Sequence, residues 1–203
     1  MLYDRALGRG NENYTPHTQV IIVQDFEVPF GKGHHWGSNA GAITNSLLGG
    51  WRLSGVTTVL SGEPFAVGIG TYPTGYAFPS VGPNFPDKGA ASPYTGAAHN
   101  RSQWFKGGLG GAFLLPVPNT FGNFGFNNLY GPSYVNQDLA AGKSLAIAEK
   151  YNFTLRADAF NVFNHTNLGL PDTTVTDTTA GKITSLAAGA NMRRLQFTLR
   201  MDF

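Results

Sequence analysis

The stretch Met192-Arg193-Arg194-Leu195-Gln196-Phe197-Thr198-Leu199-Arg200-Met201-Asp202-Phe203 decides how this chain is read. In extended backbone successive side chains point to opposite faces. Leu195, Phe197, Leu199, Met201 and Phe203 therefore share one face, and Arg194, Gln196, Thr198, Arg200 and Asp202 share the other. Two environments suit such a strand: a soluble sheet with one buried face, or a wall with lipid on one side and water on the other.

Working outward, 203 residues suffice for one domain or two, so length alone does not choose. Charged residues make up 13%, about half the usual share. Glycine (27 residues) and aromatics (13%) are abundant, a balance that leans toward β structure with large polar loops. The net charge of +2 is spread along the chain without a basic block, which argues against a nucleic-acid partner. Without cysteine there is no disulfide frame and no thiolate metal site. No apolar run approaches the length of a membrane helix. Barrel strands stay open, because they need only about ten residues with alternate positions apolar. The mean hydropathy of −0.14 averages that pattern away. Met1-Leu2-Tyr3-Asp4-Arg5 runs into polar residues rather than the apolar core of a signal peptide. The expectation is either a cytoplasmic protein or one part of a longer one.

Four further strands are expected. Gln19 to Phe30 places Val20, Ile22, Phe26, Val28 and Phe30 on one face and Ile21, Val23, Asp25 and Glu27 on the other. A turn region follows, with one short helical turn near Ala42 to Leu48. Trp51 to Phe65 is the second strand, weakened at Gly55 and Gly62. From about 68 to 128 the chain is rich in Gly, Pro, Asn and isolated aromatics with no sustained period, and it reads as one long loop. Tyr134 to Ile147 is the third strand. After Ala148-Glu149-Lys150, the fourth alternates Tyr151, Phe153, Leu155, Ala157 and Ala159 with Asn152, Thr154, Arg156 and Asp158. Loops this long are unusual in compact soluble domains but common on the outer side of membrane barrels. Under that topology Phe26, Phe30, Trp51, Tyr151, Phe153 and Phe203 form a periplasmic aromatic belt, and Phe65, Tyr134 and Phe163 an outer one.

Several segments carry a family resemblance: Val28-Pro29-Phe30-Gly31-Lys32-Gly33, Leu47-Leu48-Gly49-Gly50-Trp51-Arg52-Leu53-Ser54-Gly55, and Gly62-Glu63-Pro64-Phe65. With them go Phe121-Gly122-Asn123, Leu129-Tyr130-Gly131-Pro132, Asn136-Gln137-Asp138-Leu139, the run from Arg156-Ala157-Asp158 through Asn164-His165-Thr166-Asn167, and the terminal strand. In order and spacing the chain resembles the C-terminal part of TonB-dependent outer-membrane receptors, of the type with an N-terminal carboxypeptidase-regulatory-like domain. The resemblance implies the outer membrane of a Gram-negative bacterium and nutrient uptake energised through TonB. It also implies a plug inside a much larger barrel. Here residues 1–203 read as a single C-terminal barrel segment of about five strands with no plug domain. The expected fold is all-β, an antiparallel transmembrane β-barrel segment with long outer loops, incomplete as a barrel on its own. Five strands do not close, since single-chain barrels begin at about eight, and open edges in lipid leave backbone groups unsatisfied. The expected partners are therefore outer-membrane lipid, the remaining strands and plug or further copies of the chain, the barrel-assembly machinery, and TonB through the missing N-terminal part.

Leu195, Phe197, Leu199, Met201 and Phe203 resemble the signal that the assembly machinery reads by strand pairing; the alternative is an ordinary last strand. Arg156, Asp158, Arg194 and Arg200 face inward, as hydrated wall or plug contacts. His34 and His35 are adjacent and would point apart on a strand, so no metal site is expected there. The Gly107–Gly111 stretch lacks the strand and helix of a phosphate loop and reads as flexible. No carboxylate pair or nucleophile elbow appears, so neither an enzyme nor a cofactor is expected. Tyr72, Tyr76, Phe78, Phe85, Tyr94, Trp104 and Phe105 form a possible ligand-contact loop suited to stacking on carbohydrate or peptide. Packing of the loop against itself would give the same composition. The competing function is a free-standing or self-assembling β-rich extracellular protein that binds ligands or builds structure.

Overall fold

A computed structural model describes residues 9–13, 15–70, 84–118, 120–147 and 151–203. Among the described residues ten elements follow in chain order: β1 (Gln19–Glu27), α1 (Ala42–Leu48), β2 (Trp51–Leu60), β3 (Pro64–Phe65), β4 (Asp87–Lys88), β5 (Phe113–Leu114), β6 (Leu129–Tyr130), β7 (Tyr134–Ile147), β8 (Tyr151–Phe160) and β9 (Arg194–Asp202). The fold is all-β, and its antiparallel sheets do not close. The five expected strands form one sheet in the order β1-β2-β7-β8-β9. Where one strand from Trp51 to Phe65 is expected, the chain breaks after Leu60, and Pro64–Phe65 pairs separately with β6. Pro64 lacks the donor that a continuing strand would need.

The chain divides into two compact units. The sheet unit comprises Gln19–Val59, Val135–Thr166 and Asn191–Phe203; the loop unit comprises Met1–Thr18, Leu60–Tyr134 and Asn167–Ala190. In the sheet unit, β8 pairs with β7 from Leu139↔Ala159 to Ile147↔Tyr151, and with β9 from Asn152↔Asp202 to Phe160↔Arg194. The apolar set of each strand falls in phase with its neighbour's. A slip of one residue would send every such side chain to the other face.

The loop unit has a core of its own, so the described part of the long aperiodic stretch is a packed body. Phe65, Val67, Phe85, Phe105, Phe113, Phe124, Leu129 and Val175 are buried together. Phe105 lies 5.9 Å from both Phe65 and Phe113, and Phe113 lies 5.1 Å from Phe124, ring centre to ring centre. Backbone bonds draw distant segments onto this core: Gly68 N–H to Thr173 C=O (3.0 Å), Trp104 N–H to Gly181 C=O (2.7 Å) and Ile183 N–H to Arg101 C=O (2.9 Å). Gly181 is required there. Its φ is +80°, and an added Cβ would meet the Phe105 carbonyl oxygen at 2.2 Å. The Gly107–Gly111 stretch is tied down rather than flexible, because Gly108 N–H donates to Val175 C=O and Gly110 N–H to Phe113 C=O. Phe65, expected in an outer aromatic belt, belongs to this core instead.

Candidate lipid-facing surface

The ladder fixes which residues share a face. In β9, Leu195, Phe197, Leu199 and Met201 stand opposite Ala159, Ala157, Leu155 and Phe153, which in turn stand beside Leu139, Ala141, Lys143 and Leu145 of β7. Contacts carry the same face onward: the place of a Cβ on Gly55 is taken up by Leu139, and the Lys143 ammonium lies 5.6 Å over the Trp51 ring. β1 runs antiparallel to β2, since Val28 N–H donates to Trp51 C=O and Ser61 N–H to Thr18 C=O. Val20, Ile22 and Phe26 are then in phase with Val59, Leu53 and Trp51. This apolar face is bare: Phe197 is 74% and Phe203 93% exposed, and Phe26, Leu53, Leu155, Leu195 and Leu199 are exposed as well. A contiguous sheet of large apolar side chains is not stable against water.

The opposite face is charged. Arg52 forks onto Asp25, its Nε 2.9 Å from Oδ1 and its Nη2 on Oδ2. Arg156 pairs with Asp158 and Arg200 with Asp202, each two residues along the same strand at 2.8 Å. The Arg194 guanidinium covers the Phe160 ring at 4.7 Å. Asp25, Arg52, Asp138, Arg156 and Asp158 edge a shallow depression on this face. Exposed pairs of this kind add little stability. They make a water-wetted wall in which each arginine has its counter-charge or ring at hand.

Sequence reasoning missed two polar features on the apolar face. Gln24, Thr57 and Gln137 close a ring of hydrogen bonds. Gln24 Nε2 donates to Thr57 Oγ1 (3.2 Å), Thr57 Oγ1 donates to Gln137 Oε1, and Gln137 Nε2 donates to Gln24 Oε1 (3.2 Å). Each member donates once and accepts once, which is how polar groups are tolerated where water is absent. Lys143 is the second: it is 5% exposed, its ammonium donating to Gly49 C=O while its stem lies on Trp51. Parity with Leu139 and Ala141 was the available signal. The turn after β8 is locked by Asn161, which is buried with φ +48°. Its Nδ2 donates to His165 C=O (3.0 Å) and Asn191 C=O (2.8 Å), and its N–H donates to Asp138 Oδ1 (2.8 Å).

The five residues of the terminal stripe, Leu195, Phe197, Leu199, Met201 and Phe203, are all exposed. The described members of the aromatic loop set, Phe85, Tyr94, Trp104 and Phe105, gather at the loop unit's core. Phe85 and Phe105 are 3% and 0% exposed, so their faces are spent on the loop unit's own core and not open to a ligand. For these two the self-packing alternative holds. Tyr94 and Trp104 clamp the backbone of one residue on both sides: Tyr94 Oη accepts from Tyr130 N–H (2.9 Å), and Trp104 Nε1 donates to Tyr130 C=O (2.7 Å). Burial raises the Tyr94 phenol above its ordinary pKa. Tyr72, Tyr76 and Phe78 lie outside the described residues. His34 Nε2 is 3.9 Å from the Glu27 carboxylate, and His35 lies against Trp36.

A family model described as "Outer membrane beta barrel domain" matches residues 2–196. No curated protein and no solved structure matches the chain.

Proposed function

The chain belongs to the outer membrane beta barrel domain family and forms barrel wall in the outer membrane, and from that premise we propose that it is part of a TonB-dependent transporter for nutrient uptake in a Gram-negative bacterium. The observation that carries the finer reading is the way the family-like segments meet. Val28–Gly33 is joined to the segment before Trp51 by the Lys32 N–H to Asn45 Oδ1 bond (2.8 Å), and the Asn136–Leu139 segment is joined to the Arg156–Asn167 segment through Asp138 and Asn161. These runs then serve as the corners of one wall. The charged face borders the water-filled interior and the plug, and the apolar face borders lipid. The remaining strands of the full-length receptor cover the free edges of β1 and β9. No catalytic step belongs to this reading.

Growth tests it. A strain deleted for the full-length frame and a strain deleted for TonB are compared on scarce nutrients such as ferric chelates, cobalamin and oligosaccharides. A shared defect on at least one nutrient, no worse in the double deletion, is expected. Normal growth of the frame deletion on every nutrient that TonB supports would sink the transport reading. The terminal stripe makes a second, separate test: Phe203→Ala lowers the yield of full-length protein in the outer membrane, and an unchanged yield removes its role as an assembly signal.

A further inference from the structure

The connection 28–50 joins β1 to β2 at the end of the sheet where β7 ends and β8 begins. It contains no Asp or Glu. Four of its large apolar side chains are turned outward: Trp36 is 61% and Ile43 78% exposed, Leu47 and Leu48 are exposed too, and α1 buries none of its residues. A helix this short has no stability of its own in water. It is held nonetheless. Asn45 N–H donates to Gly41 C=O (2.9 Å), its C=O accepts from Gly49 N–H (2.9 Å), and its Oδ1 accepts from Lys32 N–H (2.8 Å). Gly31, at φ +117°, makes room, since a Cβ there would sit 2.4 Å from Asn45 Oδ1. Trp51 Nε1 donates to Leu47 C=O (2.9 Å), tying the helix end to the sheet's apolar face. The exposed residues of the connection thus continue the apolar band of the wall.

Beside them lies a cavity of about 260 Å³ lined by Phe30, Lys32, His34, Asn45, Ser46 and Lys143 among others, with no carboxylate in its lining. Lys143 spends one donor on Gly49 C=O and lies over the Trp51 ring at the cavity's edge. We propose that the connection is a foot on the membrane surface: Trp36, Ile43, Leu47 and Leu48 enter the boundary between acyl chains and headgroups, and the cavity takes the phosphate of an anionic phospholipid. Apolar residues beside cations, with no carboxylate in the cavity lining and Glu27 held 3.9 Å from His34 outside it, are the composition that binds such an interface. A soluble anion would account for the cavity but not for four exposed apolar side chains, so the occupant is lipid. The inference rests on the wall's place in the membrane and is independent of transport.

Bromine-labelled vesicles test it. Full-length protein is reconstituted in phosphatidylcholine containing a minor share of phosphatidylglycerol, with brominated chains on one lipid or the other. The Trp36 signal is the difference between wild type and Trp36→Phe. Per brominated lipid, quenching is expected to be about twofold stronger from phosphatidylglycerol. Lys32→Gln, and independently Ser46→Glu, equalise the two lipids, and inorganic phosphate in the buffer leaves the preference intact. Equal quenching in the wild type, no quenching by either lipid, a preference that survives both variants, or one abolished by inorganic phosphate each overturns the proposal. Loss of lipid preference with growth intact leaves the transport reading standing.

Discussion

Among the described residues every buried hydrophobic side chain belongs to the loop unit, while Phe26, Leu53, Leu155, Phe197 and Leu199 of the sheet unit stand exposed. The loop unit buries phenylalanines on one another as a water-soluble body does. The sheet unit pairs its backbone fully across the β7, β8 and β9 ladders yet leaves its apolar face uncovered. One chain therefore folds against two solvents. In the loop unit water drives burial, and in the sheet unit lipid takes the place of a core.

That contrast breaks first at Phe105. Fully buried between Phe65 and Phe113, it leaves a cavity when truncated, and Phe105→Ala costs the loop unit about 3–5 kcal/mol. Limited proteolysis of the inserted protein should then open sites within 84–118 while the sheet stays protected. If both units become sensitive together, they do not fold against separate solvents.

Phe197 and Thr198 probe the sheet at one depth on its two faces. Phe197→Arg places a cation on the lipid face and costs about 2–4 kcal/mol of insertion free energy, whereas Thr198→Arg joins the charged face at little cost. Equilibrium folding into vesicles measures both. Equal costs would mean that the exposed apolar face does not meet lipid. The Gln24, Thr57 and Gln137 ring sharpens the same point on a smaller scale. Thr57→Val removes one donor and one acceptor, and a double-mutant cycle with Gln24→Ala should return a coupling of about 1 kcal/mol in a bilayer. Zero coupling would mean that water reaches the ring.

The same division of solvents explains what could be read from the sequence. The sheet was legible because a strand has one period, and the apolar stripes of Tyr151–Phe160 and Arg194–Asp202 keep it without interruption. The helical turn at Ala42–Leu48 was legible from the punctuating glycines around it. The loop unit was not legible. Its core residues arrive singly, Phe85 before Pro86 and Phe105 before the glycines, and are gathered by backbone bonds across long separations such as Gly68 with Thr173. No local period records such contacts, so Phe85 and Phe105 looked like exposed ligand contacts. Lys143 was hidden for a different reason: its parity is apolar, and only the Gly49 carbonyl and the Trp51 ring, both distant in sequence, explain it.

Acid should separate the two units by the smallest margin. Asp172 in the loop unit accepts a hydrogen bond from the Thr179 hydroxyl and another from Thr174 N–H (3.0 Å), and these hold its carboxyl below the ordinary range against the opposing pull of burial. A carboxylate whose folded pKa is lowered adds stability above its unfolded pKa, about 3.9, and loses it as pH falls through the folded value. The loop unit's denaturant midpoint, followed by Trp104 fluorescence, should therefore stay level from neutral pH to about 5 and decline below that. Asp172→Asn lowers the midpoint at neutral pH and flattens the acid decline, by less than about 1 kcal/mol because solvent screens the group. Thr179→Val should do part of the same by removing one of the two donors. An acid decline as steep in Asp172→Asn as in the wild type would assign it to other carboxylates and leave Asp172 without a part in the stability of this unit.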